Sequence, residues 1–456
     1  MRTRALLSAV ALLAGGTGLA ACGSDSPSGS SSSTGGNTVK IAYQRFGDSR
    51  VMDDWLTQVK SQWEGANPGK KVELQPIVAS ENDYYTKLAL MLRSPSTSPD
   101  LVYEDTFLVN SDIKAGYLRP LDPYLDKWDQ WGQYVDNAKL AAKGLDGKTY
   151  GIPLGTDTRG LWYNKEILQK AGIAVPWQPK SWDDVLTAAR AVKQKVPGVT
   201  PLNIYASKAS GEATSMQGFE MLLYGTGGSL YDESSKKWVV GNKHFTDSLN
   251  FVKTVFGEKL GPDVKDATDA NLGNNVSEKF LPGGKLAIAL DGSWLAGTWA
   301  STGSKPWPEW SSVIGQAAMP TQNGQAPGAV SMSGGWTYAI SAKAPNPDLA
   351  WSFLQTAQNP ANATAYTVKA AQIAVRKDVA ATPEYQKANA QTPVFSEVVK
   401  ATKYRPAYAE YPRISNAIQV AMEAVMTGQA SPEEAAKTYD EAVKQVVGPE
   451  NTVQMP

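Results

Sequence analysis

Short apolar strands alternate with amphipathic helices in the part of the chain that follows residue 37. Residues 39–43 alternate apolar with polar or small side chains, as a strand does, and apolar residues recur every four positions through 51–63, as on one face of a helix. The same alternation continues with a strand at 72–78, a helix at 84–92 and a short apolar strand at 100–103. This β-α-β-α-β order predicts an α/β fold with a parallel sheet covered by helices on both faces.

The residues that directly follow these strands are the first candidates for a binding site. Ligands of parallel α/β sheets bind beyond the carboxyl ends of the strands. The segments at that edge are 44–48, 80–83 and 104–105, which follow the first, second and third strands. They supply the candidate ligand contacts Arg45, Phe46, Glu81, Glu104 and Asp105.

The amino terminus has the pattern of a bacterial export signal. Arg2 and Arg4 precede an apolar stretch that is too short to span a membrane but fits a signal-peptide core. Small residues then lead into Cys22. This is the lipobox pattern, in which the thiol is lipidated and the chain is cleaved before the cysteine. The alternative is an ordinary signal peptide with an incidental cysteine. Cys22 is the only cysteine and cannot form an internal disulfide. We predict a signal peptide at 1–21 and a lipidated Cys22 that anchors the protein to the outer face of the cell membrane.

The sequence after Cys22 divides into a tether and a long folded part. Residues 22–37 are rich in serine and glycine and predict a flexible tether, because such a composition cannot bury apolar surface. Folding is expected to start near Thr38. The remaining part is longer than a single usual core and predicts two domains. No second apolar run in the sequence reaches membrane-spanning length.

Composition argues against several classes of function. The formal net charge is zero and there is no long basic run, which disfavours nucleic-acid binding. The single histidine excludes paired-histidine metal motifs, and neither a nucleophile elbow nor a P-loop occurs, so we expect no enzyme activity and no cofactor. The two catalytic carboxylates of a glycosidase have no fixed spacing in the sequence, so a glycosidase function is not excluded. The 14 tryptophans favour a sugar or an aromatic ligand.

The second half of the chain carries further clear elements. Residues 181–184 and 431–434 have the pattern of a helix capping box, with a serine and an acidic residue three positions later. Apolar runs predict strands at 286–290 and 336–340, and the segment 348–355 predicts a helix.

Four blocks of sequence carry a likeness to a known family. They are Pro99-Asp100-Leu101-Val102 with the segment to Leu121, Asp146-Gly147-Lys148-Thr149-Tyr150-Gly151-Ile152-Pro153 with the segment to Gly172, Phe280-Leu281-Pro282-Gly283-Gly284-Lys285 with Asp291-Gly292-Ser293-Trp294, and Gly334-Gly335-Trp336 with the segment to Leu354. In this order, behind the lipobox, they resemble the bacterial extracellular solute-binding protein family 1, the carbohydrate-binding lipoproteins of ABC importers, to which the maltose binders belong.

The resemblance implies a two-lobed, type II periplasmic-binding-protein-like fold, with a ligand cleft between the lobes and a hinge of crossing strands. The first lobe would comprise 38–157 plus 315–333, and the second 158–314 plus 334–456. The chain would first cross near 155–160, return near 314–320, and leave again near 334–338. A ligand that contacts both lobes would favour a closed form, because only differential affinity shifts such an equilibrium.

The resemblance also implies particular ligand contacts. Asp157 matches an acidic cleft residue that accepts sugar hydroxyls, and Trp294 matches an aromatic residue that stacks on a sugar ring. An aromatic residue of the maltose binders is replaced here by Ile418, which makes maltodextrin specificity an open question. Residues that could compensate are Trp336, the three tyrosines Tyr404, Tyr408 and Tyr411, and the fork donor Arg405.

The function that follows is capture of a sugar, with an oligosaccharide favoured, by a monomer that delivers it to an ABC permease with a cytoplasmic ATPase. One alternative is the same fold with a non-sugar solute such as a polyamine, or with a role as a sensor input. Another is a lipid-anchored glycoside hydrolase with paired carboxylates.

Overall fold

The predicted amino-terminal strands lie side by side in the first of two main sheets. A computed structural model describes residues 36–455, so the predicted signal peptide 1–21, Cys22 and all but the end of the tether 22–37 lie outside the described residues. The first sheet has the order β2-β1-β3-β13-β4. Its strands are β1 (Thr38–Arg45), β2 (Lys71–Val78), β3 (Leu101–Asp105), β4 (Gly151–Pro153) and β13 (Trp336–Ile340).

Strand directions confirm the predicted parallel core of this sheet and add one antiparallel strand. β1 pairs in parallel with both β2 and β3. β13 enters between β3 and β4 and is antiparallel to both. Helices cover the two faces, and we call the elements around this sheet the first lobe. Its helices are Val51–Ala66, Glu81–Leu92, Val109–Lys114, Asp122–Leu125, Asp136–Ala141, Pro347–Ala357, Pro360–Lys369, Lys377–Ala380 and Pro383–Asn389.

A second sheet with the order β10-β5-β9-β6 forms the centre of what we call the second lobe. Its strands are β5 (Arg159–Asn164), β6 (Thr200–Asn203), β9 (Leu286–Gly292) and β10 (Ile314–Ala317). Two small sheets flank it, one of β11 (Met319–Pro320), β12 (Ala329–Met332) and β14 (Thr402–Lys403), the other of β7 (Tyr231–Asp232), β8 (Lys237–Val240) and β15 (Thr452–Gln454).

The helices of the second lobe complete its core. They are Lys165–Lys170, Trp182–Lys195, Met221–Gly225, Lys243–Gly257, Val264–Ala267, Leu272–Asn275, Leu295–Trp299, Trp310–Val313, Pro393–Glu397, Tyr411–Met426 and Pro432–Val447. The two predicted capping boxes are present: the side chains of Ser181 and Ser431 each accept a hydrogen bond from the backbone three residues on, and the acidic side chain there accepts one in return.

The structure corrects the predicted lobe boundaries at two places. β10 pairs with β5, and Val330 and Met332 of β12 are buried in the core of the second lobe, so 315–333 does not belong to the first lobe. β13 and the helix after it pack in the first lobe, whereas 334–456 was assigned entirely to the second. An apolar run predicts a buried strand, but it does not say which sheet the strand completes.

The paths between the sheets differ from the prediction in the same way. The chain passes from the first sheet to the second between Pro153 and Arg159, within the expected region. It returns between Met332 and Trp336, and not near 314–320. Within residues 36–455 no helix is both long and apolar enough to cross a membrane.

Candidate ligand-binding cleft

A cavity of about 440 Å³ lies between the two main sheets and takes its walls from both lobes. On the first-lobe side it begins at the carboxyl ends of β1, β2 and β3, as expected for an α/β sheet. First-lobe side chains in the wall include Gln44, Phe46, Glu81, Tyr103, Asp105 and Trp336, and second-lobe side chains include Arg159, Tyr205, Glu212, Asp291, Trp294 and Arg405.

A buried ion cluster joins the two lobes in the wall of this cleft. Arg405 of the second lobe donates a hydrogen bond to Asp105 of the first at 2.8 Å, and its guanidinium lies 3.3 Å from the carboxylate of Glu212. Tyr85 donates to Asp105 at 2.9 Å, and Tyr411 donates to Glu212 at 2.8 Å. One guanidinium therefore pairs with two carboxylates. The tyrosine hydroxyls donate further hydrogen bonds to these carboxylates.

Glu81 adds a third carboxyl group close to this cluster. It is the first residue of its helix, and its side chain lines the cleft while part of its surface stays accessible. Burial in the cleft, with smaller contributions from the carboxylates of Asp105 and Glu212, raises the pKa of Glu81 to about 8. No described residue forms a hydrogen bond with this carboxyl group, so it is free to meet a ligand.

The raised pKa of Glu81 predicts a specific dependence of stability on pH. Because the pKa is about 8 in the folded state and 4.5 as the ordinary value, the native state holds an extra proton between these limits and loses stability as pH rises through them. Glu81→Gln removes this titration, so the variant should gain melting temperature relative to wild type between pH 5 and pH 9.

Melting curves across that range check the expectation. Asp83→Asn, an exposed change on the same helix, is the matched control and should follow wild type. Parallel curves for wild type and Glu81→Gln would show that Glu81 does not carry the shifted proton.

Asp157 and Arg159 stand at the crossing from the first lobe to the second. The carboxylate of Asp157 pairs with the guanidinium of Arg159 and accepts a hydrogen bond from the backbone N–H of Gly334 at 2.9 Å. The guanidinium carbon of Arg159 lies 4.8 Å from the ring centroid of Trp294. Asp157, Arg159 and Trp294 all line the cleft, and the carboxylate of Asp157 orients the fork of Arg159 within it.

The half-buried Trp336 presents an aromatic surface from the first lobe. Its ring stacks parallel to the ring of Tyr103 with 4.3 Å between centroids, and the ring of Phe46 meets it edge-on at 5.6 Å. All three side chains line the cleft. Trp294 contributes a half-buried ring from the second lobe, so aromatic surfaces of both lobes face one cavity.

Glu104 does not line the cleft, and the prediction for it is wrong. Side chains alternate between the two faces of a strand, so Tyr103 and Asp105 reach the cavity while Glu104 points the other way. Glu104 is fully buried, and burial together with the carboxyl group of Asp112 raises its pKa well above the usual range.

The same alternation of side chains places Arg45 outside the cleft. Gln44 and Phe46 line the cleft, and Arg45 between them lies on the opposite face of β1. There its guanidinium forms an ion pair with Asp53 at 2.7 Å. Arg45 therefore stabilises the contact between β1 and the helix that follows it.

The aromatic residues proposed to compensate for Ile418 occupy different places. Trp336 lines the cleft, whereas Tyr404, Tyr408 and Tyr411 do not belong to its wall. Tyr411 and Ile418 are fully buried in the core of the second lobe, and the ring of Tyr408 packs 4.3 Å from that of Tyr231.

Several wall residues were not predicted from the sequence, among them Asp291, Arg159 and Glu212. Asp291 begins the Asp-Gly-Ser-Trp block and accepts a hydrogen bond from Tyr205 at 2.7 Å, so this block was a usable signal. Arg159 lies inside the predicted crossing, which was a second signal. Glu212 follows a short turn after β6, and nothing in its local sequence distinguishes it from a solvent-exposed carboxylate.

Comparison with known proteins places the chain in a family. The sequence profile of the bacterial extracellular solute-binding proteins matches residues 49–364, and the chain belongs to this family. A maltodextrin-binding protein of Bacillus subtilis is 25% identical over 362 residues, which are 76% of this chain and 75% of that protein. A solute-binding protein from Thermotoga lettingae, solved with α-D-tagatose, is 24% identical, covers 90% of this chain and 100% of its own, and superposes with a TM-score of 0.77.

Some of the sequence matches are shorter. A binding protein of Brucella abortus is 31% identical over 140 residues, so the match spans 30% of this chain and 32% of that relative. The structural similarity supports the two-lobed binding-protein fold over most of the described chain.

Proposed function

We propose that this protein captures a sugar, with an oligosaccharide favoured, in the cleft between its lobes and delivers it to the permease of an ABC importer on the outer side of the cell membrane. The observation that carries the proposal is the composition of the cleft wall. Trp294 and Trp336 bring apolar ring faces from the two lobes, and charged hydrogen-bonding groups stand beside them. The names of the Bacillus subtilis and Thermotoga lettingae relatives, which refer to maltodextrin and tagatose, support a sugar.

The chemistry of a sugar fits this wall. A pyranose offers C–H faces, which pack on aromatic rings, and equatorial hydroxyls, which bond to charged groups more strongly than to neutral ones. Arg159 offers donors, while Glu81 and Asp291 offer acceptors. A space of about 440 Å³ falls within the usual range for small-molecule sites.

A cationic solute such as a polyamine is a second candidate, because carboxylates outnumber cationic side chains in the cleft. The six acidic wall residues are Glu81, Asp105, Asp157, Glu212, Glu278 and Asp291, against the three basic residues Arg159, Lys369 and Arg405. Each ammonium group would compensate one charge of this excess. A neutral sugar would compensate none, and protonation of Glu81 would remove only one negative charge.

A thermal-shift panel tests the proposal. The probes are maltose, maltotriose, arabinotriose, lactose, acarbose and spermidine, and a ligand of the native state raises the melting temperature by mass action. At least one sugar should produce a shift and should be recovered uncleaved after incubation, because we propose binding without hydrolysis. A shift with spermidine alone would favour the second candidate.

We further propose that Cys22 is the lipidated mature amino terminus, on the basis of Leu19-Ala20-Ala21-Cys22. One acyl chain anchors weakly, so stable attachment needs the additional chains of a lipoprotein cysteine. Cys22→Ser should release the protein into the medium or leave it unprocessed. Fractionation and amino-terminal sequencing decide this, and a membrane-bound variant with a normally cleaved terminus would contradict it.

A further inference from the structure

One buried hydroxyl group in the second lobe lies between two carboxyl groups. The hydroxyl oxygen of Tyr411 is 2.8 Å from Oε1 of Glu212 and 2.5 Å from Oε1 of Glu220. All three residues are buried. A hydroxyl group carries one proton and can donate only one of these two hydrogen bonds. The other contact is a hydrogen bond only if its carboxyl group is protonated and donates to the hydroxyl oxygen.

The partners of the two carboxyl groups show which of them carries the proton. Glu212 lies 3.3 Å from the guanidinium of Arg405, and its Oε2 accepts a hydrogen bond from the hydroxyl of Ser415 at 2.5 Å. Such donors stabilise a carboxylate. Oε2 of Glu220 is buried and has no hydrogen-bond partner among residues 36–455. Because an unpaired charge is costly there, the proton belongs on Glu220, which donates to Tyr411 while Tyr411 donates to Glu212.

The surroundings of Glu220 agree with this assignment. Glu220 is fully buried at the end of the helical segment Thr214–Glu220. Burial raises its pKa from the ordinary value of 4.5 to about 8, and the negative charge of Glu212 adds to the rise. The titratable and charged groups that face it from the neighbouring segments are Glu212, Tyr224, Arg405, Tyr411 and Tyr439.

Two of the groups around this proton belong to the wall of the cleft. Glu212 and Arg405 line the cleft, whereas Glu220 and Tyr411 are not part of its wall. With Glu220 protonated, the hydroxyl proton of Tyr411 is available to Glu212. With Glu220 ionised, that one proton faces two carboxylates, and the new buried charge competes with Glu212 for the nearby guanidinium of Arg405. Ionisation of Glu220 therefore disturbs two wall groups from behind.

We propose that Glu220 binds a proton at neutral pH and that this proton keeps the cleft in its binding form, so that solute affinity falls when Glu220 ionises in alkaline solution. The second part of this inference rests on the proposed function, whereas the proton itself does not. Glu220 is a positioning residue, because it acts on the wall through Tyr411. A group with a pKa of about 8 is about nine-tenths protonated at pH 7 and about one-tenth protonated at pH 9, so affinity should fall about tenfold.

Infrared spectroscopy tests the proton directly, because the C=O stretch of a protonated carboxyl group is separate from the bands of a carboxylate. The difference spectrum between wild type and Glu220→Gln should contain this band at pH 6.5 and lose it by pH 9.5. The matched control is Glu441→Gln, an exposed change on the helix Pro432–Val447, and its difference spectrum should lack the band. Absence of the band at pH 6.5 in the Glu220→Gln difference would overturn the proposal.

Melting curves provide a second test of the proton. Glutamine has the size of glutamic acid and can donate to Tyr411 as the protonated acid does. Because the native state holds the extra proton between pH 4.5 and about pH 8, wild type loses stability relative to Glu220→Gln as pH rises through this range. The variant should therefore melt at a higher temperature than wild type at pH 8.5, with a smaller difference at pH 5. A variant less stable than wild type at pH 7 would show that Glu220 is ionised there.

Calorimetric titration at pH 7 and pH 9 tests the link to the cleft. The probe is whichever of the panel compounds binds wild type most tightly, and the quantity compared is the ratio of dissociation constants of wild type and Glu220→Gln. Glu81 titrates in both proteins and cancels in this ratio. The ratio should be near one at pH 7 and rise about tenfold by pH 9, whereas the ratio of wild type to Glu441→Gln should stay near one.

The experiments separate the proton from its effect on binding. If wild type binds no panel compound, the proposed function fails and the link to affinity fails with it, while the infrared band still decides whether Glu220 is protonated. A band that behaves as expected, together with an affinity ratio that does not change from pH 7 to pH 9, would overturn the link and leave sugar binding intact.

Discussion

Arg405→Met is expected to lower the free energy of unfolding by about 3–5 kcal/mol, because it leaves buried carboxylates without their cation. The side chains of Arg405, Asp105 and Glu212 are each only 6–8% exposed. Methionine has a similar length but offers neither charge nor donors. Urea unfolding at pH 7.5 measures the loss.

The matched control is Arg190→Met, which breaks a surface ion pair. Arg190 lies 2.7 Å from Glu258, but the two side chains are 43% and 44% exposed, and such pairs contribute about 0–1 kcal/mol. A similar small loss in both variants would contradict the role assigned to Arg405.

The loss in Arg405→Met should shrink as pH falls. Burial already raises the pKa of Glu212, and Arg405 opposes that shift, so removal of the guanidinium raises this pKa further. A carboxyl group whose pKa is higher in the folded than in the unfolded state favours folding when it is protonated. The difference between wild type and Arg405→Met should therefore be smaller at pH 5 than at pH 7.5, and an unchanged difference would argue against an electrostatic cause.

Trp294→Ala is expected to weaken sugar binding about tenfold to a hundredfold. By analogy with stacking of bases on aromatic rings, one stacked ring contributes about 1–3 kcal/mol. The ring of Trp294 packs directly over Gly292, since a Cβ atom built there would meet the ring at 1.9 Å. The change should therefore also cost some stability, which a melting curve measures separately from affinity.

Two further variants define what the Trp294 result means. Asp157→Asn keeps a hydrogen-bonding group and removes only its charge, so its effect on affinity should be smaller than that of Trp294→Ala. Trp131→Ala removes a half-buried tryptophan outside the cleft wall and should leave affinity unchanged. If folded Trp294→Ala binds as tightly as wild type, Trp294 is a packing residue and not a ligand contact.

Local pattern was sufficient for the elements that have a clear apolar period. The period of apolar residues predicted β1, β3, β9 and β13 and the helices beside them, because burial of one face depends on nearby sequence. The assignment of β13 to a lobe failed for a physical reason. Its pairing with β3 joins Tyr338 to Tyr103, and no local rule selects a partner so distant in the chain.

The site was predictable where strand ends determine it and not where distant segments meet. The end of the third strand was a candidate segment, and Asp105 from it lines the cleft, but strand alternation had to be applied residue by residue to exclude Glu104. The contact between Arg405 and Asp105 joins residues 300 positions apart. Glu212 enters the same cluster through a loop, so only the folded chain shows that these three charges share one place.

Calorimetric titration of wild type and Trp294→Ala, with the panel sugar that raises the melting temperature most, tests the central claim most directly. We expect one sugar molecule bound per protein, weaker binding by the folded Trp294→Ala variant, and recovery of the sugar uncleaved. Absence of binding by every sugar of the panel, or cleavage of more than one equivalent by the purified protein, would contradict the account of a sugar-capturing cleft.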